Sequence, residues 1–367
     1  MGYPKSRRFV DMSKESSCLW VPKKHGQRTI VLADKSRLRD KELEVQTDAN
    51  YIFVPLVRSP TEEEISLFRN EVSQVRVKSC MFQMRRKQHK TIDDALAGLL
   101  SSDLLASLPK ALDVVGDIAI IEIPPELREN EKLIGEAILK THRNIKTVLS
   151  KAGSVSGTYR LRGFKIIAGE PRTLTVHKEY GCRYQVDVAK AYFSPRLSHE
   201  HERVGSLVGE DETVVDMFAG VGPFSVLIGK KHPSVKVYAL DINPEAFVFL
   251  KKNVLLNRVQ DNVVPLFGDA RQIVRERLAG VANRVIMNLP ESAIEFASTA
   301  CAALKPNGGV LHFYGFVRLP SSMEALRNCF AAEVEKAGRK VERFLSVKAV
   351  RETGPYEQQV VLDAFVS

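Results

Sequence analysis

Three aspartates stand at matching places in the C-terminal half of this 367-residue chain. Asp216 precedes the glycine turn Ala219-Gly220-Val221-Gly222-Pro223, Asp241 follows 19 residues after Gly222, and Asp269 lies in Gly268-Asp269-Ala270. Each closes a short apolar run, so each is expected at the carboxyl end of a strand, where open α/β sheets bind ligands. A dinucleotide loop would read G-x-G-x-x-G, but position 225 is Ser, and the charge of Asp216 would repel a pyrophosphate. Both departures suit S-adenosylmethionine, whose sulfonium and amino group are cationic. Asp241 is placed to accept from both ribose hydroxyls and Asp269 from the adenine amino group. Phe218, Gly220, Gly222, Ile242, Ala270 and Asn288 complete the expected cofactor site. A simpler alternative makes each Asp a helix cap; three at successive strand ends beside a glycine turn favour the cofactor.

Ile286-Met287-Asn288-Leu289-Pro290 ends a further strand at the same rim, where a methyl acceptor would lie. Amino-group methyltransferases usually carry two prolines and an aromatic ring after this Asn or Asp, whereas Glu291 follows Pro290 here. Upstream, Tyr192-Phe193-Ser194-Pro195-Arg196-Leu197 reads as a helix start with Ser194 as N-cap and Pro195 at the first helical position. Glu200 then falls about one turn in. His199 and His201 are two apart and point to different sides of a helix, so no metal is expected.

From about Thr213 strand and helix patterns alternate, as in a doubly wound α/β domain. Four segments are expected: a small N-terminal module over 1–68, a basic helical linker over 69–108, a central α/β module over 109–190, and a catalytic domain over 191–367. The chain carries 54 Lys and Arg against 44 Asp and Glu, a net charge of +10 that favours a polyanionic partner. Between Leu139 and Gly169 stand Arg143, Lys146, Lys151, Arg160 and Arg162 without one acid, which marks a face for RNA phosphates. Five scattered cysteines with no C-x-x-C pair argue against a disulfide framework and a zinc site. No apolar stretch approaches the length of a spanning helix, so no membrane partner and a cytoplasmic location are expected.

Four segments together resemble the archaeal and eukaryotic tRNA (guanine-37-N1)-methyltransferases: Asp216 to Ser225 (D-M-F-A-G-V-G-P-F-S), Tyr192 to Leu197, Asn288 to Pro290, and Thr175 to Glu179. Trp20-Val21-Pro22-Lys23-Lys24 is similar to that family's N-terminal module. The resemblance implies a class I (Rossmann-like) S-adenosylmethionine-dependent methyltransferase domain preceded by two smaller α/β modules, the first checking tRNA shape and the second binding RNA. It implies a monomer acting on tRNA with guanosine at position 37. It also implies Glu200 as general base, Arg160 as stabiliser of guanine O6, Asn288 as base-orienting partner, Pro290 as shaper of the pocket and Tyr192 as part of its wall. Arg143, Lys146, Lys151, Arg162 and Arg196 are the expected RNA contacts. The family often has Glu-Arg where this chain has Glu200-His201, so the role of that Arg is weakened or passes to Arg203.

The chemistry is consistent with these roles. Guanine N1 carries a proton at neutral pH, so a base must stand within hydrogen-bond reach; burial is expected to raise Glu200 toward neutrality. Negative charge gathering on O6 calls for a fixed cation. The target base is expected splayed from a loop. The alternatives are the wyosine-pathway tRNA aminocarboxypropyl transferase, which uses another carbon of the same cofactor, and a non-catalytic tRNA-binding protein.

Overall fold

The computed structural model describes residues 13–85, 91–157, 159, 161–318 and 320–367. Backbone contacts divide the chain into two compact units, 1–89 and 90–367.

In the first unit Ser13–Pro22 pairs antiparallel with Tyr51–Pro55 on one side and Arg76–Gln83 on the other. Leu19, Val21, Val54 and Phe68 fill the core beneath the sheet. The strand Arg76–Gln83 overturns the expectation of a helical linker over 69–108. It is a sheet edge, and its exposed Arg76 and Lys78 lie against the ring of Trp20, so its polarity imitated a solvated connector. The rest of that stretch splits as well: Leu96 of helix Ile92–Leu96 packs with Ile134 and Ile138 in the second unit.

The second unit opens with a four-stranded sheet in the order Leu112–Val115, Ile118–Ile121, Thr147–Ser156, Leu161–Gly169, against which helix Glu131–Thr141 packs. A hairpin of Leu174–Glu179 and Cys182–Asp187 follows. The chain then builds a seven-stranded sheet from β1 (Thr213–Asp216), β2 (Lys236–Asp241), β3 (Val263–Phe267), β4 (Arg284–Met287), β5 (Gly309–Arg318), β6 (Val341–Gly354) and β7 (Glu357–Val366).

Its order is β3-β2-β1-β4-β5-β7-β6, with β1 to β5 parallel and β7 antiparallel to both neighbours. Strand direction of travel reverses between β1 and β4, which opens a crevice at their carboxyl ends. Val215, Leu240, Val285 and Leu311 are fully buried and form the continuous apolar strands that a two-sided parallel sheet needs. Three helices bear on the site: α1 (Ser198–Leu207), α2 (Pro223–Lys231) and α3 (Pro244–Leu256). Gly222 caps α2 at φ +92°, and a Cβ there would stand 2.6 Å from Leu250 Cδ1, so glycine is required twice over.

Candidate active site

A cavity of ≈ 350 Å³ lies at the carboxyl ends of β1 to β4. Its floor comes from the residues that leave each strand: Phe218 and Gly220 after β1, Asp241 and Ile242 at the end of β2, Asp269 and Ala270 after β3, Asn288 and Pro290 after β4. Asp241 Oδ2 accepts the Gly220 N–H at 2.6 Å and Oδ1 the Asn243 N–H at 2.8 Å. Burial raises its pKa, with these backbone donors opposing. Asp269 both caps and lines: Oδ1 accepts the Arg271 N–H at 2.7 Å while the residue borders the cavity. Phe218 meets Phe296 edge-on at 4.9 Å, giving the cavity an apolar wall. Carboxylates beside an aromatic wall fit a nucleoside with hydroxyl and amino donors, and so fit S-adenosylmethionine.

Two expected cofactor residues stand elsewhere. Gly222 is absent from the lining, since its task is the cap against Leu250. Asp216 is fully buried beneath the turn, where its Oδ2 accepts the Ser225 hydroxyl at 2.6 Å. Burial pushes its pKa up to about 7, and the Ser225 hydrogen bond only partly offsets this. Ser225, where a dinucleotide loop would have glycine, is thus the partner that holds Asp216. Asp216 Oδ1 is buried without a hydrogen-bond partner among the described residues.

The other half of the cavity is walled by Tyr192, Leu197, Pro290, Glu291, Phe316, Arg351 and Gln359. Asn288 Oδ1 accepts from Gln359 Nε2 at 3.4 Å, and Gln359 Oε1 accepts from Arg351 Nε at 2.8 Å. Arg351 also donates to Ser194 Oγ at 2.9 Å and to Tyr192 OH at 3.2 Å. Ser194 therefore makes no side-chain cap; it opens a short 3-10 turn, Pro195–Leu197, ahead of α1. Arg351 and Gln359 escaped sequence reading because they belong to the last two strands and carry no motif.

Glu200 does not line the cavity. It is 4% exposed in the first turn of α1. Arg203 Nε donates to its Oε1 at 3.1 Å and Oε2 at 2.9 Å, Tyr314 OH donates to Oε2 at 3.0 Å, and Lys348 Nζ stands 2.9 Å from Oε1. Burial pushes this carboxyl up, but Arg203 and Lys348 outweigh it and hold the group below the usual range. The expectation of a base raised by burial is corrected: one pairing cation, Arg203, stands one turn on in the same helix and the other, Lys348, comes from a strand far away in sequence.

Arg203 is committed to Glu200 and to Asp363 Oδ2 at 2.5 Å, so in this structure it does not stand in for an arginine at position 201. His201 itself is buried with its Nδ1 2.6 Å from Glu179 Oε1.

The basic residues divide. Arg143 and Lys146 are exposed and make no ion pair among the described residues. Lys151 lies 3.2 Å from Glu122 and 3.9 Å from Asp113, so acids from elsewhere in the chain neutralise part of the segment that is acid-free in sequence, and Arg196 likewise lies 2.5 Å from Asp113. Arg162, Lys151 and Arg196 line a second cavity beside the first, and Arg162 Nε has no hydrogen-bond partner among the described residues. Arg160 lies outside the described residues. Among the described residues no cluster of three His, Cys, Asp or Glu side chains is arranged to hold a metal, and no helix is long and apolar enough to cross a membrane.

Acidic strand ends around one cavity at the switch point of a β3-β2-β1-β4-β5-β7-β6 sheet define a class I methyltransferase. Residues 175–342 match the TRM5/TYW2 methyltransferase domain and residues 92–173 the TYW2 N-terminal domain. The tRNA (guanine(37)-N(1))-methyltransferase Trm5b of Pyrococcus abyssi is 37% identical over 354 residues, covering 95% of this chain and 98% of that one. The chain belongs to the TRM5/TYW2 methyltransferase family. Among solved structures, the complex of aTrm5 and tRNALeu superposes with a TM-score of 0.76 at 34% identity, over 95% of this chain and 99% of that one. Pyrococcus horikoshii TYW2 in complex with MeSAdo superposes with a TM-score of 0.62 at 30% identity, over 75% of this chain and 97% of that one.

Proposed function

We propose that this methyltransferase acts on N1 of guanosine 37 in tRNA with S-adenosylmethionine as methyl donor. The supporting observation is the span of the likeness. The Trm5b relationship runs over 95% of this chain, whereas the TYW2 structure matches 75% of it. S-adenosylmethionine, when bound, supplies an electrophilic methyl group on a sulfonium for N1 to attack.

The residues of the chain do the rest. Asp241 accepts the ribose hydroxyls, Asp269 the adenine amino group, and the turn at Gly220 brings backbone close to the ligand. Phe218, Ile242 and Ala270 enclose the adenosine, and Asp216 braces the turn beneath them through Ser225. On the acceptor side Asn288, oriented by Gln359, holds the guanine edge between Pro290 and Tyr192. Glu200 takes the N1 proton, and Arg160 stabilises the charge that gathers on O6. Arg143, Lys146, Lys151, Arg162 and Arg196 face the RNA backbone, with Arg143 and Lys146 carrying the larger share because they have no acidic partner.

The test uses S-adenosylmethionine labelled on the methyl group, an unmodified tRNA transcript with guanosine at position 37, and its adenosine variant, followed by nucleoside analysis. Label in 1-methylguanosine, absent with the variant, is the expected result. Label transferred from the aminocarboxypropyl arm of the cofactor instead, onto a wyosine-type precursor, would move the protein to the other activity that its family model spans. Binding of tRNA and cofactor with no transfer would leave an RNA-binding protein.

A further inference from the structure

The carboxylate of Glu200 is saturated. Its four donors come from three elements: Arg203 Nε and Nη2 from its own helix, Tyr314 OH from β5, and Lys348 Nζ from β6. Asp363 on β7, bonded to Arg203, and His312 on β5, bonded to Asp363 and to Arg284, complete the charged and titratable shell. In that state Oε1 has no place for the proton of an incoming base. A donor must leave before the carboxylate can act.

The four are not equally free to go. Tyr314 is fully buried, and Arg203 is tied by a second carboxylate, Asp363, at 2.5 Å. Among the described residues Lys348 has one ionic partner, Glu200 Oε1, and its side chain is 43% exposed against 21% for Arg203. It also lies on the edge strand of the sheet, on the short regular stretch between two register shifts, Phe344/Ser346 and Ala349/Arg351. Among these donors, the solvent-reaching one is thus also the ammonium on Oε1. An ammonium on a four-carbon stem exchanges partners readily, whereas a forked guanidinium held at both ends does not.

We propose that Lys348 is a latch: it occupies Glu200 Oε1 in the RNA-free enzyme and passes to a phosphate oxygen of the bound RNA, freeing Oε1 to take the guanine N1 proton. In the step that follows, the N1–H bond breaks, the proton forms an O–H bond on Oε1, and the N1 electron pair is left to attack the methyl group. Lys348 keeps its own proton throughout and changes only its anionic partner. It is a positioning residue. The inference rests on Glu200 as the general base, so Glu200→Gln is measured first: an unchanged single-turnover rate would remove both that role and the latch.

The test of the latch is Lys348→Met in the full chain with a guanosine-37 tRNA transcript, comparing two pH profiles. The acid limb of kcat/KM reports the free enzyme and that of the saturating single-turnover rate the RNA complex. Loss of the cation frees Glu200 to bind protons more tightly, so the kcat/KM limb is expected to move up by about one pH unit. The saturating limb is expected to stay in place, because there Lys348 has already left. The salt dependence of tRNA binding should fall by about 0.7 to 0.9 in log–log slope, one phosphate contact. Lys348→Arg, which keeps the charge, should retain the wild-type slope. Both limbs moving together would mean that Lys348 stays on Glu200 throughout, and an unchanged salt slope would mean that it never reaches a phosphate; either overturns the latch, and with Glu200→Gln inactive the base role would stand without it.

Discussion

The two halves of the site are in different states of readiness. At the carboxyl ends of β1 to β4 the carboxylates border an open cavity, and Asp241 is held in place by backbone N–H groups alone. At the start of α1 the carboxylate of Glu200 is buried and fully engaged by side chains. Backbone donors position a group without neutralising it, whereas side-chain cations do both. The cofactor half is therefore preorganised, and the acceptor half must exchange partners before it works.

Four tests break or sharpen this contrast. The largest effect belongs to Glu200→Gln, expected to lower single-turnover methylation by more than ~100-fold while equilibrium binding of cofactor and tRNA stays near wild type. Next is Asp241→Ala, expected to weaken S-adenosylmethionine by at least ~10-fold in equilibrium dialysis with tRNA affinity retained. A tRNA defect of equal size would mean that the two halves are not separable.

Asp216→Asn tests the buried acid. Because its folded pKa is raised from 3.8 to about 7, its contribution to stability is full below about pH 4 and is lost as pH rises through about 7. The amide cannot ionise, so the variant is expected to melt higher than wild type at pH 8 and to match it near pH 4. Thermal melts at the two pH values read the effect, and equilibrium binding of S-adenosylmethionine is expected to stay near wild type, since Asp216 lies beneath the cavity and not in its lining. The smallest effect concerns the basic face: Arg143→Ala and Lys146→Ala should each lower the salt slope of tRNA binding by about 0.7 to 0.9. Lys151→Ala and Arg196→Ala, whose charges are met by Glu122 and Asp113, should change it less.

What sequence revealed followed the range of the interactions. The strand Val263–Phe267 and the turn before α2 are set by neighbouring residues, and both were legible. Asp241 and Asp269 reach the cavity because a parallel sheet puts every strand end on the same rim. Asp216 misled because one position along a strand is the difference between rim and interior. Glu200 could be named, but its pairing with Lys348 and Tyr314 joins residues more than a hundred positions apart, and its protonation follows in part from them. The same limit applies to the segment from Leu139 to Gly169: its lack of acids is real in sequence and is partly cancelled in space by Asp113, Glu122 and Glu131.

The edge strand β6 carries a further consequence. It is 14 residues long, broken by four register shifts, and studded with Glu342, Arg343, Lys348, Arg351 and Glu352. A long edge is normally a template on which a second chain can add hydrogen bonds, and bulges and charges are the features that spoil such templates. Lys348→Met, Arg343→Val and Glu352→Val together would strip charge from this edge and are expected to make concentrated enzyme more prone to associate, so the strand that supplies the site with its cation is also built as a poor template for a second chain.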